Sequence, residues 1–130
     1  AVPSLHQPLA RYRLKSAGAQ LASDLRWLRH QSIYGKAFVV NIVFDKYHNS
    51  YMIRDGAKAV VQRTLPPGIV MAELGLQQNP FSFTLSGAPS GGGGRIGLKN
   101  EYGERCYIHV MPSSGRIRVE LERSSGGVRP

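Results

Sequence analysis

Among the 130 residues, Arg116 and Arg118 are the pair whose type and spacing lend themselves most directly to chemistry. In the run Gly115-Arg116-Ile117-Arg118-Val119-Glu120-Leu121-Glu122, strand alternation puts Ile117, Val119 and Leu121 on one face. Arg116, Arg118, Glu120 and Glu122 take the other. Two residues of strand rise about 7 Å, so two guanidiniums beside a tight Gly115 turn can each grip a phosphate through paired hydrogen bonds. The chemistry is oxyanion binding, with Gly115, Arg116 and Arg118 as the candidate nucleic-acid contacts and Arg95, Lys99 and Arg123 as helpers. The plainer reading of the same charges is protection of an edge strand.

Other constellations carry less. The segment Gly92-Gly93-Gly94-Arg95-Ile96-Gly97 has the glycine spacing of a dinucleotide-binding loop, but the residues after it alternate like a strand and open no helix. Cys106 and His109 lie three residues apart on a predicted strand and so point to opposite faces, which separates a thiol from the imidazole that would activate it. Cys106 is expected to be a small buried residue, and His109 a surface or interface one. His6, His30, His48 and His109 have none of the spacings that preassemble a metal site, so no metal and no cofactor is expected. The carboxylates offer no pair set alone in a cleft, and no catalytic residue can be assigned.

These side chains must be positioned by two kinds of element. Ala10, Leu14, Ala17, Leu21, Leu25 and Leu28 recur at helical spacing and predict one amphipathic helix over residues 9–33. Pro8 suits its first turn and Gly35 suits a left-handed stop. Arg11, Arg13, Lys15, Arg26 and Arg29 fall mostly off the apolar stripe and are expected in solvent. From residue 37 the period changes to two. Strands are expected at Phe38 to Phe44, 50–54, 58–65, 69–74, 81–85, 95–99, 104–111 and 115–122, with turns at 45–49 and Asp55-Gly56. Residues 86–94 are glycine-rich and are expected to form a mobile loop, and residues 124–130 a disordered tail. One long helix and about eight antiparallel strands, in a single domain over residues 1–123, define an α+β fold.

Hydrophobic residues at 42% and charged residues at 19% exclude a disordered chain. The net charge of +9 favours polyanions, and residues 91–130 hold seven Lys/Arg against four acids. A single cysteine, Cys106, rules out an intramolecular disulfide, so the fold rests on its core. No apolar run reaches the 18 or so residues that would cross a bilayer.

Four segments give the chain a family likeness. They are the helix run from Leu21 to Ile33 with the strand Phe38-Val39-Val40 after it; Leu65-Pro66-Pro67-Gly68-Ile69, followed by Phe81-Ser82-Phe83 and Gly87; Gly94-Arg95-Ile96-Gly97-Leu98; and Ile108-His109-Val110 leading into Gly115-Arg116-Ile117-Arg118-Val119. Together they resemble the GspH/FimT type of minor pseudopilin, found in type II secretion systems, type IV pili and competence machinery. The resemblance implies a pilin-like head, a long helix on two antiparallel sheets, acting as a non-enzymatic assembly subunit at a filament tip. Its implied partners are other minor and major pilins, met in part through the helix, for which Leu14, Leu21, Leu25 and Leu28 are the candidate contacts. It also implies a bacterial inner-membrane and periplasmic or cell-surface location, with an apolar anchoring helix ending where Ala1-Val2-Pro3 begins. Gly115-Arg116-Ile117-Arg118 matches the Gly-Arg-x-Arg pattern of family members implicated in DNA uptake, so double-stranded DNA is a further expected partner, with natural transformation as the alternative main role.

Overall fold

A computed structural model describes residues 5–35 and 40–122. The expected strand start at Phe38, the helper Arg123, the tail at 124–130 and the junction at Ala1-Val2-Pro3 lie outside the described residues. The predicted helix is α1, His6–Tyr34, with Pro8 in its first turn. Gly35 ends it in an extended conformation, φ −76°, and not in the left-handed one expected. Its N–H still reaches the Gln31 carbonyl at 2.8 Å, so the last helical bond forms before the chain straightens.

The two-residue periodicity resolves into seven strands among the described residues, where about eight were expected. Sheet A is β1 (Val40–Asp45), β2 (Ser50–Asp55) and β3 (Lys58–Thr64), and sheet B is β4 (Val70–Gly75), β5 (Gly94–Lys99), β6 (Arg105–Val110) and β7 (Ile117–Glu122). Each sheet is antiparallel and runs in chain order. The strand missing from the expectation is 81–85. Phe81 exchanges both backbone bonds with Ile42 at the edge of β1, and Phe83 bridges to Pro89 instead of continuing the ladder. The reason lies in the side chains: Phe81 and Phe83 turn inward and meet edge to face, centroids 5.2 Å apart, while Leu85 stays 83% exposed.

Residues 86–94, expected to be mobile, hold specific bonds. Thr84 N–H donates to the Ala88 carbonyl at 2.7 Å, Ser90 N–H to the Ser82 carbonyl at 2.9 Å, and Gly87 and Pro89 are buried. The loop is also joined to the helix, through the bond that Arg29 Nε donates to the Gly87 carbonyl.

The inward faces of both sheets close on the helical stripe, joining Ile42 and Ile53 of sheet A to Ile96, Leu98 and Ile108 of sheet B. Leu14, Leu21, Leu25 and Leu28 are all 0% exposed within this core. They therefore contact the chain's own sheets and leave no surface for a neighbouring subunit, which corrects their expected role. Close approach is helped by Gly18, where a Cβ would run into the Cys106 Sγ.

Two carboxylates fasten the helix at its sides. Asp24, 6% exposed, accepts from the Tyr51 hydroxyl at 2.6 Å and from Arg63 Nε at 3.1 Å, tying α1 to sheet A. Glu104, 2% exposed, accepts from Arg11 Nε at 2.8 Å and Asn100 Nδ2 at 2.9 Å, tying α1 to the β5–β6 turn. Arg11 is thus not the solvated residue its position off the stripe suggested.

Candidate nucleic-acid interface

The β6–β7 turn carries the Gly-Arg-x-Arg run. Met111 N–H donates to the Arg116 carbonyl at 2.9 Å and Gly115 N–H to the Met111 carbonyl at 3.0 Å, closing the turn. Gly115 has φ +73° and is buried, and a Cβ there would collide with the Gly87 carbonyl oxygen. Its glycine is required by backbone shape and by the neighbouring loop, so Gly115 shapes the turn and is not itself a surface for a ligand.

Two helix arginines, expected in solvent, brace this turn. Arg29 donates from Nε to the Gly87 carbonyl and from Nη2 to the Ser114 carbonyl, both at 2.9 Å. Arg26 Nη2 donates to the Ile117 carbonyl at 3.1 Å, on the open edge of sheet B. One side chain therefore joins helix, glycine loop and turn, and a second caps the first carbonyl of the edge strand. Arg116 and Arg118 stand on a base that is held from behind.

Arg116 and Arg118 are both exposed, and neither guanidinium has an ion pair within 4.0 Å among the described residues. Arg116 immediately precedes β7 instead of lying within it, and Arg118 is in register with His109, which is in register with Arg95. The row Arg118, His109, Arg95 thus crosses the outer face of sheet B. Arg95 is occupied: Nε and Nη2 reach Glu73 at 2.9 and 3.3 Å, and the guanidinium lies 4.1 Å from the Tyr107 ring centroid. Glu73 accordingly raises its pKa. His109 Nε2 meets Glu120 Oε1 at 2.8 Å, and this bond holds the Glu120 carboxyl below the usual carboxylate range. Of the expected contacts, Arg116 and Arg118 are exposed and outside any ion pair within 4.0 Å among the described residues, with the Arg118 charge adding to the pull of His109 on Glu120, while Arg95 joins the row of Arg118 already paired.

Lys99 lies four residues along β5 from Arg95, about 13 Å away at strand rise, in register with Arg105. Sequence reasoning passes over Arg105 and the bracing role of Arg26. The alternation Arg105, Tyr107, His109 signals the first, whereas the contact of Arg26 spans 91 residues and has no local signal. Cys106 and His109 do fall on opposite faces, Cys106 at 0% exposure with its thiol pushed up to about 11 by burial. No group of three or more His, Cys, Asp or Glu among the described residues is placed to hold a metal. An open depression of about 1020 Å³ over sheet A, lined by Tyr47, Met52 and Gln62 among others, includes none of the candidate arginines.

The whole arrangement of helix, three-stranded sheet and four-stranded sheet superimposes on a solved structure, the minor pseudopilin EpsH from the type 2 secretion system of Vibrio cholerae. The TM-score is 0.61 at 14% identity, covering 89% of this chain and 99% of that one. The fold is that of a minor pseudopilin. No protein-family model matches the sequence, and no curated protein matches it. The pseudopilin fold is therefore carried here by a sequence that shares few residues with EpsH.

Proposed function

We propose that this chain is the head of a minor pseudopilin, a structural subunit that enters a type IV pilus or type II secretion pseudopilus near its tip. The observation that carries the reading is the near-complete overlap with the EpsH fold, which spans 99% of that chain. The internal ties support it: both buried carboxylates and the brace of Arg29 spend their polar chemistry on fixing helix to head, as expected of a subunit whose task is to be held in a lattice. Its partners on this reading are other minor and major pilins. It would reside at a bacterial inner membrane and in the periplasm, anchored by an apolar helix. Among the described residues no helix is long and apolar enough to cross a membrane. The test is co-purification with minor and major pilin subunits from the same cells, and failure to associate with any of them removes the proposal.

A second reading adds DNA, and natural transformation as its setting. It is favoured by the two exposed guanidiniums of Arg116 and Arg118, in no ion pair within 4.0 Å among the described residues, on a braced turn in a chain of net charge +9. Binding of this kind contacts phosphates and ignores sequence. Duplex binding measured at rising salt, with Arg116 and Arg118 both changed to Ala, tests it. Each phosphate contact contributes about 0.9 to the log–log slope, so the double change is expected to flatten it by nearly 2. An unchanged slope assigns both arginines to edge protection alone.

A further inference from the structure

The outward face of α1 is unusual for a helix in so basic a chain. At 100° per residue, positions 9, 12, 16, 19, 23, 27, 30 and 34 fall within one strip about 80° wide, directly opposite the buried Leu14, and Leu5 stands just before its first turn. Every one of these residues is exposed, and none is Lys, Arg, Asp or Glu. A solvated helical face is normally where charge collects. Here it carries Leu5 at 75% exposure and Tyr12 at 67% toward one end, and Trp27 at 42% and Tyr34 at 72% toward the other. Between these ends stand Ser16, Ala19 and Ser23, a waist of small side chains. Small residues in the middle of a face let a second helix approach to an axial distance of about 8 Å, with the larger residues closing over it on either side.

The charges at the margins decide between occupants. Lys15 and Arg13 stand about 80° to either side of the strip's midline, both exposed and neither in an ion pair among the described residues. Arg26 borders the strip on the side of Lys15, with Nη2 turned to the Ile117 carbonyl. The one carboxylate of the helix, Asp24, is buried and engaged. A second copy of this chain laid along the strip would set cation against cation, whereas a helix with Asp or Glu beside its apolar residues would be drawn in and held in register.

We propose that the strip on α1 is a docking surface for a helix of a different subunit, apolar along one face and flanked by carboxylates; this rests on the assembly reading above. It replaces the buried leucines with the opposite side of the same helix. Trp27 is the only tryptophan of the chain and lies in the strip, so its fluorescence reports occupancy directly.

The test uses two synthetic helical peptides with the same apolar stripe, one flanked by Glu and one by Lys, titrated into the protein. The glutamate-flanked peptide is expected to shift Trp27 emission to the blue and saturate, and the lysine-flanked one to bind at least about tenfold more weakly. Ala19→Arg, at an exposed position whose effect on folding is checked by its urea midpoint, is expected to weaken binding by a similar factor. No shift with the glutamate peptide, equal binding of both peptides, or a shift on concentrating the protein alone overturns the proposal. Co-purification with neighbouring pilin subunits is read in parallel: loss in the unsubstituted chain removes the assembly reading, whereas equal capture by the Ala19→Arg chain removes the docking strip only.

Discussion

Asp24 sits on the apolar side of an amphipathic helix, where a carboxylate is costly unless every lone pair finds a donor. Tyr51 and Arg63 supply those donors from sheet A, and Gln20 adds another from the preceding turn of the helix. Asp24→Asn keeps the shape but removes the charge from four hydrogen bonds, two of them from Arg63, so a loss of at least about 1.5–3 kcal/mol in urea unfolding is expected. Cys106 is governed by burial in a different way. With its thiol moved from 9.0 to about 11, its thiolate fraction at pH 8 is roughly a hundredfold below that of an ordinary cysteine. Iodoacetamide is expected to leave the folded chain unmodified and to alkylate it quickly in denaturant. The same shift fixes a sign for stability. As pH rises past 9 the unfolded chain loses its thiol proton before the folded one does, so the thiol's contribution falls between about pH 9 and 11. Tyr51, whose pKa is raised by burial and by Asp24, pushes in the same direction at higher pH.

The elements divide into those with a local signature and those defined by distant partners. The β1–β2 and β6–β7 hairpins are legible in the sequence because apolar residues alternate on both sides of turn residues, and α1 is legible because six apolar residues keep helical spacing. Phe81 and Phe83 carry the same alternation yet form no strand, since each is claimed by the core before a ladder can extend. The contact of the glycine loop with the helix escapes a local reading for a related reason: Arg29 lies 58 residues from Gly87, and no short window contains both. The candidate site is half legible. Alternation finds Arg116 and Arg118, but that Arg95 is already paired with Glu73, and that Gly115 is buried, depends on sheet register and on the loop. Gly115→Ala combines a left-handed φ with a collision against Gly87 and is expected to cost at least about 2 kcal/mol. Gly18→Ala meets Cys106 and is expected to cost about 1–3 kcal/mol, most of it recovered when Cys106→Ala is added, which a double-mutant cycle by chemical denaturation would read.

Taken as one body, the molecule separates its surfaces by charge. The outer face of sheet B alternates sign, through Arg95 with Glu73 and His109 with Glu120, and at the start of the edge strand β7 Arg116 and Arg118 stand exposed and outside any ion pair within 4.0 Å among the described residues. The outward face of the helix carries no charge along its length, with cations only at the margins. The two surfaces predict separable variants: changing both arginines to Ala should reduce salt-sensitive DNA attachment and leave helix docking unaltered, and Ala19→Arg should do the reverse. The polar ties of the helix also have a mechanical meaning. Arg11, Asp24 and Arg29 bind the head at points separated by about 20 Å and about 7.5 Å along the axis, at 1.5 Å per residue. Tension applied along the helix would load all three in shear at the same moment, whereas tension across it would break them in sequence. In single-molecule pulling the head should therefore yield at a markedly higher force when drawn from the N-terminal end of α1 along its axis than when peeled sideways from β7.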